Sequence, residues 1–145
     1  MIGEYPLSIG LVILGEPASK ANSRKLVTIG GKSLFIKSDK ARDYVVAARR
    51  QAQSAMRGMR PMVGRIRATI DIFYATQRPD LDESLILDVL QGICYVNDRQ
   101  VRERHVTHWI DRKNPRAHIL LTHVPEPPAV PPPHLRYPPP SPTSS

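Results

Sequence analysis

Apolar and polar residues alternate along parts of the chain, and this two-residue period predicts β-strands. The clearest alternation covers residues 63–75, where five apolar side chains at every second position face the same way. Residues 5–14 alternate more loosely, and residues 101–110 and 117–123 are predicted as two further strands. A Gly-Gly pair between two short apolar runs predicts a β-hairpin over residues 26–36.

Two other stretches carry apolar residues at spacings of three and four, which is the period of an amphipathic α-helix. The first helix is predicted to begin after an N-cap at Ser38 or Asp39 and to end at Gly58. The second is predicted to follow Asp82, a favourable N-cap residue, and to end at Gly92. The order strand, hairpin, helix, strand, helix, strand, strand predicts an α/β (α+β) fold, a small mixed β-sheet with two main helices.

Proline content divides the chain into two parts. Ten of the 15 prolines lie in residues 125–145, where a disordered or polyproline II tail is expected, and residues 1–124 are the predicted domain. No apolar run approaches the roughly 18 residues that span a bilayer. No signal-peptide pattern is evident, so a cytoplasmic location is expected.

Charge is distributed unevenly around a net value of +8. Residues 19–65 contain 12 Lys or Arg against two Asp, residues 66–98 contain two Arg against six acidic residues, and residues 99–118 contain six basic residues against two acidic ones. Basic flanks indicate a polyanionic partner, most often nucleic acid. The acidic stretch between them is explained either by a bound divalent cation or by a solvated surface.

Three aspartates are the candidate catalytic and metal-binding residues. Asp80 and Asp82 form an Asp-x-Asp pair whose side chains point the same way in extended chain. A ten-residue helix is about 15 Å long, and residues 93–97 can return over roughly that distance, so Asp98 is expected to reach the pair. Three convergent carboxylates suit Mg²⁺ or Mn²⁺. The alternative is that Asp82 serves only as a helix N-cap and Asp98 only as a turn residue, which explains either residue when it is considered alone.

The residues around these aspartates resemble a known family. Pro-Asp-Leu-Asp at residues 79–82, a helix, and Asn-Asp-Arg-Gln-Val at residues 97–101 are closely similar to the RusA family of Holliday junction resolvases, which show D-L-D-N-L, a helix and [N/D]-D-x-Q-V. The resemblance implies a homodimeric, Mg²⁺-dependent, structure-specific endodeoxyribonuclease of phage or prophage type that nicks four-way DNA junctions symmetrically in recombination and repair. It implies that Asp80, Asp82 and Asp98 are catalytic, and that the cell is bacterial or phage-infected.

Two positions depart from the family pattern. Glu83 stands where the family has Asn, and Ile86 stands where a family member has a catalytic Lys, one turn after the second Asp. Arg78, Arg99 and Arg102 are candidates both to replace that lysine and to bind nucleic acid. The alternative function is therefore a non-catalytic or loosely specific branched-DNA-binding protein derived from such a nuclease.

Further expectations concern the basic loop, the dimer and the core. Lys20, Arg24 and Lys25 lie in a predicted flexible loop and are expected to contact phosphates.

The homodimer is expected on an open sheet edge or on the first helix, although the small residues of that helix are equally explained by packing on its own sheet. That set is Ala48, Ala52 and Ala55. Cys94 and Trp109 are expected in the core.

Overall fold

The computed structural model describes residues 5–18, 24–77, 83–126 and 130–135. These parts form strands and helices in the predicted order, and the mixed α+β fold is confirmed. The strands are β1 Ser8–Leu14, β2 Arg24–Ile29, β3 Lys32–Lys37, β4 Ile66–Tyr74, β5 Val101–Ile110 and β6 Arg116–His123, and the α-helices are α1 Asp39–Ala55 and α2 Ser84–Leu90.

Four strands form one mixed sheet in the order β1-β6-β4-β5. Strands β4 and β5 are parallel because α2 lies in the crossover between them, whereas β6 is antiparallel to both β1 and β4. Strands β2 and β3 form a separate hairpin. Gly30 and Gly31 at its turn have φ values of 58° and 80°, the left-handed conformation that a two-residue hairpin turn requires.

The sheet has one buried face and one exposed face. Along β4 every second side chain, from Ile66 to Tyr74, is buried, which confirms the alternation predicted from the sequence. These side chains join those of α1 and α2 in a single apolar core. On the opposite face, Val12 and Leu120 are about half exposed.

Helix α1 has the cap and the buried face that the sequence predicts. The Ser38 Oγ accepts a hydrogen bond from the Ala41 backbone N at 3.2 Å. Ala48 and Ala52 are fully buried in the core, whereas Ala55 is exposed at the end of the helix. The buried part of the alanine stripe is therefore occupied by the chain's own packing.

Helix α2 is shorter than predicted and is not amphipathic. It has seven residues instead of ten, and its N-cap position is Glu83, not Asp82. Apolar side chains cover most of its circumference, as is typical of a helix buried within the core. Its buried residues are Leu85, Ile86, Leu87, Val89 and Leu90.

One cysteine and one tryptophan were predicted to lie in the core. Cys94 is fully buried, as expected. Trp109 is 52 % exposed, so its assignment to the core is wrong. Its indole lies on the open face of the sheet, where Nε1 donates to Asp71 Oδ1 at 3.1 Å and the ring stacks on Phe73.

The proline-rich tail is described only in part. Residues 130–135 are exposed and include the one-turn 3-10 helix Pro133–Leu135. Most of the residues predicted to form a disordered or polyproline II tail lie outside the described residues. In the described ranges, no helix has the length and apolar character needed to cross a membrane.

Candidate active site

Asp98 lies on a capped turn that precedes β5. The turn is a one-turn 3-10 helix whose N-cap, Asn97, accepts a hydrogen bond from the Arg99 backbone N at 2.9 Å. In return, Gln100 Oε1 accepts from the Asn97 backbone N at 2.9 Å, which completes a capping box. The Asp98 backbone N donates to Gln91 Oε1 at 3.1 Å, so the turn is fastened to the end of α2.

Gln100 also fastens this turn to the chain segment before β4. Its Nε2 donates to the carbonyl oxygens of Met62 and Gly64, at 3.0 and 2.9 Å. Gly64 has a φ of 80°, and a Cβ there would lie 3.0 Å from His123 Nε2, so the position requires glycine. The sequence analysis gave Gln100 no role, although the spacing of three between Asn97 and Gln100 is the signal of a capping box.

The Asp98 carboxylate is exposed and makes no hydrogen bond or ion pair with any residue that the structure describes. It is therefore available to coordinate a hard cation such as Mg²⁺. Asp88 is an exposed carboxylate on α2. After burial, which is the largest cause, the charges of Cys94, Asp98 and Asp88 raise the pKa of the Tyr95 hydroxyl, which donates to the Leu87 carbonyl.

The predicted meeting of three carboxylates depends on residues outside the description. Asp80 and Asp82 belong to residues 78–82, as does Arg78, and none of them is described. Among the residues that are described, no group of three or more His, Cys, Asp or Glu side chains is placed to hold a metal. The three-aspartate site therefore stays a prediction.

The link after α2 turns at the helix end, where the Gly92 backbone N donates to the Tyr95 carbonyl at 2.7 Å and the Cys94 N donates to the Leu90 carbonyl at 2.8 Å. Asp98 thus lies at the C-terminal end of α2. The seven-residue helix is about 10 Å long, less than the 15 Å expected. Whether Asp98 reaches the Asp-x-Asp pair stays a prediction.

Two buried side chains, those of Ile86 and Cys94, take no part in binding or catalysis at this site. Ile86 is fully buried, so this helix position is part of the core and presents nothing to a substrate. Burial raises the pKa of the Cys94 thiol to about 12, which keeps the thiol protonated and unreactive as a nucleophile.

A cleft of about 530 Å³ opens beside the Asp98 turn. Two of the predicted nucleic-acid-binding residues, Arg99 and Arg102, lie on its wall. Arg65 lines the same cleft and was not singled out from the sequence, because it precedes β4 by one residue and is far from the others along the chain. The full lining is Gly64, Arg65, Arg99, Gln100, Arg102 and Glu126.

Residues 18–25 were predicted as a flexible basic loop or the start of a hairpin, and the described part is the start of the hairpin. Arg24 and Lys25 belong to strand β2, not to a loop, and Lys20 and the Arg24 side chain lie outside the described part of the structure. The Lys25 Nζ is 3.0 Å from Asp39 Oδ1, and this contact holds the pKa of the Asp39 carboxyl below its usual value. The charge of Lys25 is therefore already compensated in part.

A mixed α+β domain with a strongly basic sequence, an exposed aspartate on a capped turn and an arginine-lined cleft is typical of proteins that bind polyanions. The family model for endodeoxyribonuclease RusA matches residues 15–122, well over half of the chain. The chain therefore belongs to the RusA family, as its motif indicated, and this membership supports a DNA-binding endonuclease. A search of the curated proteins gives no match.

Proposed function

We propose that the protein is a Mg²⁺- or Mn²⁺-dependent endodeoxyribonuclease that resolves four-way (Holliday) DNA junctions by paired nicks. It acts as a homodimer in DNA recombination and repair, in the cytoplasm of a bacterial or phage-infected cell. The observation that carries the proposal is the family match over residues 15–122, which includes the Asp98 turn.

The proposed catalytic residues are Asp80, Asp82 and Asp98, which are also the proposed metal ligands. The carboxylate of Asp98 supports this role, because it is exposed and unpaired among the described residues and carboxylate oxygens are the ligands that Mg²⁺ prefers. When bound, the metal supplies an activated water and stabilises the negative charge of the transition state. The hydrogen bonds of the turn fix the backbone position of Asp98 before substrate arrives.

The proposed DNA contacts are basic residues that neutralise backbone phosphates. Arg99 and Arg102 are exposed beside Asp98, which supports their part in this role. A four-way junction has near two-fold symmetry, so a two-fold dimer presents one active site to each of two strands. The complete proposed set is Lys20, Arg24, Lys25, Arg78, Arg99 and Arg102.

The buried position of Ile86 favours a second candidate, a non-catalytic or loosely specific protein that binds branched DNA. A charged side chain that stabilises the transition state is absent from this point of the helix. The two candidates differ in metal-dependent cleavage and in the choice between junctions, forks and flaps.

The deciding experiment offers the full-length protein a synthetic four-way junction, a fork, a flap and a linear duplex, each with Mg²⁺ or with EDTA. We expect paired nicks in the junction with Mg²⁺ only. Asp82→Asn and Asp98→Asn should each abolish cleavage and keep junction binding. Asp43→Asn, which changes an exposed carboxylate on α1, is the matched control and should cleave normally.

Each outcome separates the candidates. Binding without cleavage by the unchanged protein supports the non-catalytic candidate, and equal cleavage of all branched substrates supports loose specificity. Full cleavage by Asp82→Asn or Asp98→Asn contradicts the catalytic assignment itself.

A further inference from the structure

The cleft beside Asp98 brings three arginines from two separate parts of the chain to one place. Arg65 comes from the segment before β4, and Arg99 and Arg102 come from the turn and the first residues of β5. None of the three makes an ion pair with any residue in the described ranges. Uncompensated guanidinium groups that converge on a concave surface are typical of sites for phosphate or carboxylate groups.

The backbone around the cleft is held rigidly. Gln100 ties the wall that carries Arg99 to the carbonyl of Gly64, the residue next to Arg65. On the other side, the Val124 backbone N donates to the Arg65 carbonyl at 2.9 Å. Arg65 is therefore anchored at its main chain, and its side chain is half-buried. Fixed backbone positions reduce the entropy lost when the arginines bind a ligand.

The charge of the lining favours an anion. Three guanidinium groups face one carboxylate, that of Glu126, so the cleft keeps a positive balance. The cleft is open to solvent along the surface, which suits a group that belongs to a longer chain. A DNA backbone presents such groups, each with two unesterified oxygens that accept hydrogen bonds from guanidinium nitrogens.

We propose that this cleft binds one backbone phosphate of the DNA strand that is cut, and that Arg65 is a DNA-binding residue alongside Arg99 and Arg102. Because Arg99 directly follows Asp98 in the turn, the bound phosphate is a near neighbour of the reacting phosphate and sets the register of the strand against the active site. The proposal rests on the proposed function and adds a positioning site to it.

The test is a scan of the cut strand with methylphosphonate, in which one backbone phosphate at a time is replaced by an uncharged group. Junction binding is measured in EDTA, so that the result does not depend on cleavage. For the unchanged protein we expect one position near the cut site where replacement weakens binding roughly tenfold, as expected for a lost charge-assisted hydrogen bond. For Arg65→Gln, binding of unmodified DNA should be weaker by up to a similar factor, and replacement at that position should weaken binding by a smaller factor than it does in the unchanged protein, because Arg99 and Arg102 remain.

Arg50→Gln is the matched control, because it removes an exposed arginine from α1 and leaves the cleft unchanged. It should respond to the scan as the unchanged protein does. Arg65→Lys should keep part of the affinity, because it keeps the charge and loses the two-pronged geometry. Circular dichroism and urea unfolding of each variant show whether it has folded.

Three results would overturn the proposal. Arg65→Gln binds junctions as tightly as the unchanged protein, or its scan shows the same sensitive position with undiminished sensitivity. The third is that inorganic phosphate at about 10 mM, enough to fill a weak anion site with millimolar affinity, protects the cleft against arginine-specific modification while DNA does not. The last result would indicate a site for free phosphate. If the protein binds junctions through Arg65 and never cuts DNA, the cleft stands and the proposed nuclease activity fails.

Discussion

Four hydrogen bonds meet at the side chain of Gln100, which links the turn that carries Asp98 to the segment before β4. Its oxygen accepts from two backbone N–H groups, and its nitrogen donates to two carbonyls. Only an amide side chain of this length offers both kinds of group. This requirement explains physically why the motif around Asp98 contains glutamine.

We expect Gln100→Ala to lower the free energy of unfolding by about 1–3 kcal/mol, because it leaves backbone groups without partners. Gln100→Glu should be similarly destabilising at pH 7, since a carboxylate accepts but does not donate. Urea unfolding measures both. Gln53→Ala on the exposed face of α1 is the control; equal stability of the Gln100 and Gln53 variants would show that the bonds contribute nothing.

Ile86 allows a second prediction about a single residue. Because its side chain is fully buried, Ile86→Lys places an ammonium group in the core and should lower the free energy of unfolding by roughly 3 kcal/mol or more. The substitution should not increase cleavage. Val46→Lys, at a half-exposed position of α1, is the control and should change stability little. A stable and more active Ile86→Lys protein would contradict the placement of α2.

At the scale of elements, the sequence predicts best where burial alternates regularly. Strand β4 and helix α1 each bury one face, so their periods of two and of three to four are visible along the chain. Helix α2 was predicted from apolar residues at spacings of three and four, but it is buried around most of its circumference, so its apolar pattern does not mark where the helix begins and ends. Trp109 was misplaced because alternation along an edge strand does not reveal which face of the sheet is covered.

The three-aspartate site stays a prediction, but the structure shows how the Asp98 turn within it is held. Local hydrogen bonds set the path of the link after α2. The Gln91 side chain accepts from the Asp98 backbone N, and the Tyr95 carbonyl accepts from the Gly92 backbone N. The approach of Arg65 to Arg99 depends instead on tertiary structure, and no local sequence pattern indicates it.

The packing of α1 gives a prediction at this scale. Ala48 is fully buried against the core, so Ala48→Leu should overpack it and lower the free energy of unfolding by about 1–3 kcal/mol. Ala55→Leu, at an exposed position of the same helix, should be close to neutral. Thermal unfolding compares the two. If Ala48→Leu instead kept its stability and lost self-association, the stripe would be an interface between copies of the chain.

At the scale of the whole molecule, the chain has one covered sheet face and an open one. Strands β1 and β5 form the edges of the sheet, and the helices occupy a single side of it. Two surfaces were expected to form the homodimer, an open sheet edge and helix α1. Because the buried alanines of α1 pack inside the chain, a sheet edge is the remaining candidate. The partly exposed Trp109 and Ile110 lie on the edge strand β5.

We expect the protein at micromolar concentration to sediment as a dimer with twice the chain mass of 16.3 kDa. Two coordinated nicks need two active sites, and each chain has one set of candidate aspartates. A supercoiled plasmid that extrudes a cruciform reports this coordination, because two nicks made within one binding event linearise the plasmid, whereas single nicks relax it to an open circle. Dilution that separates the dimer should convert linear product to open circle. Linear product from a species of 16.3 kDa would contradict the paired-site mechanism, since one active site would then have cut both strands.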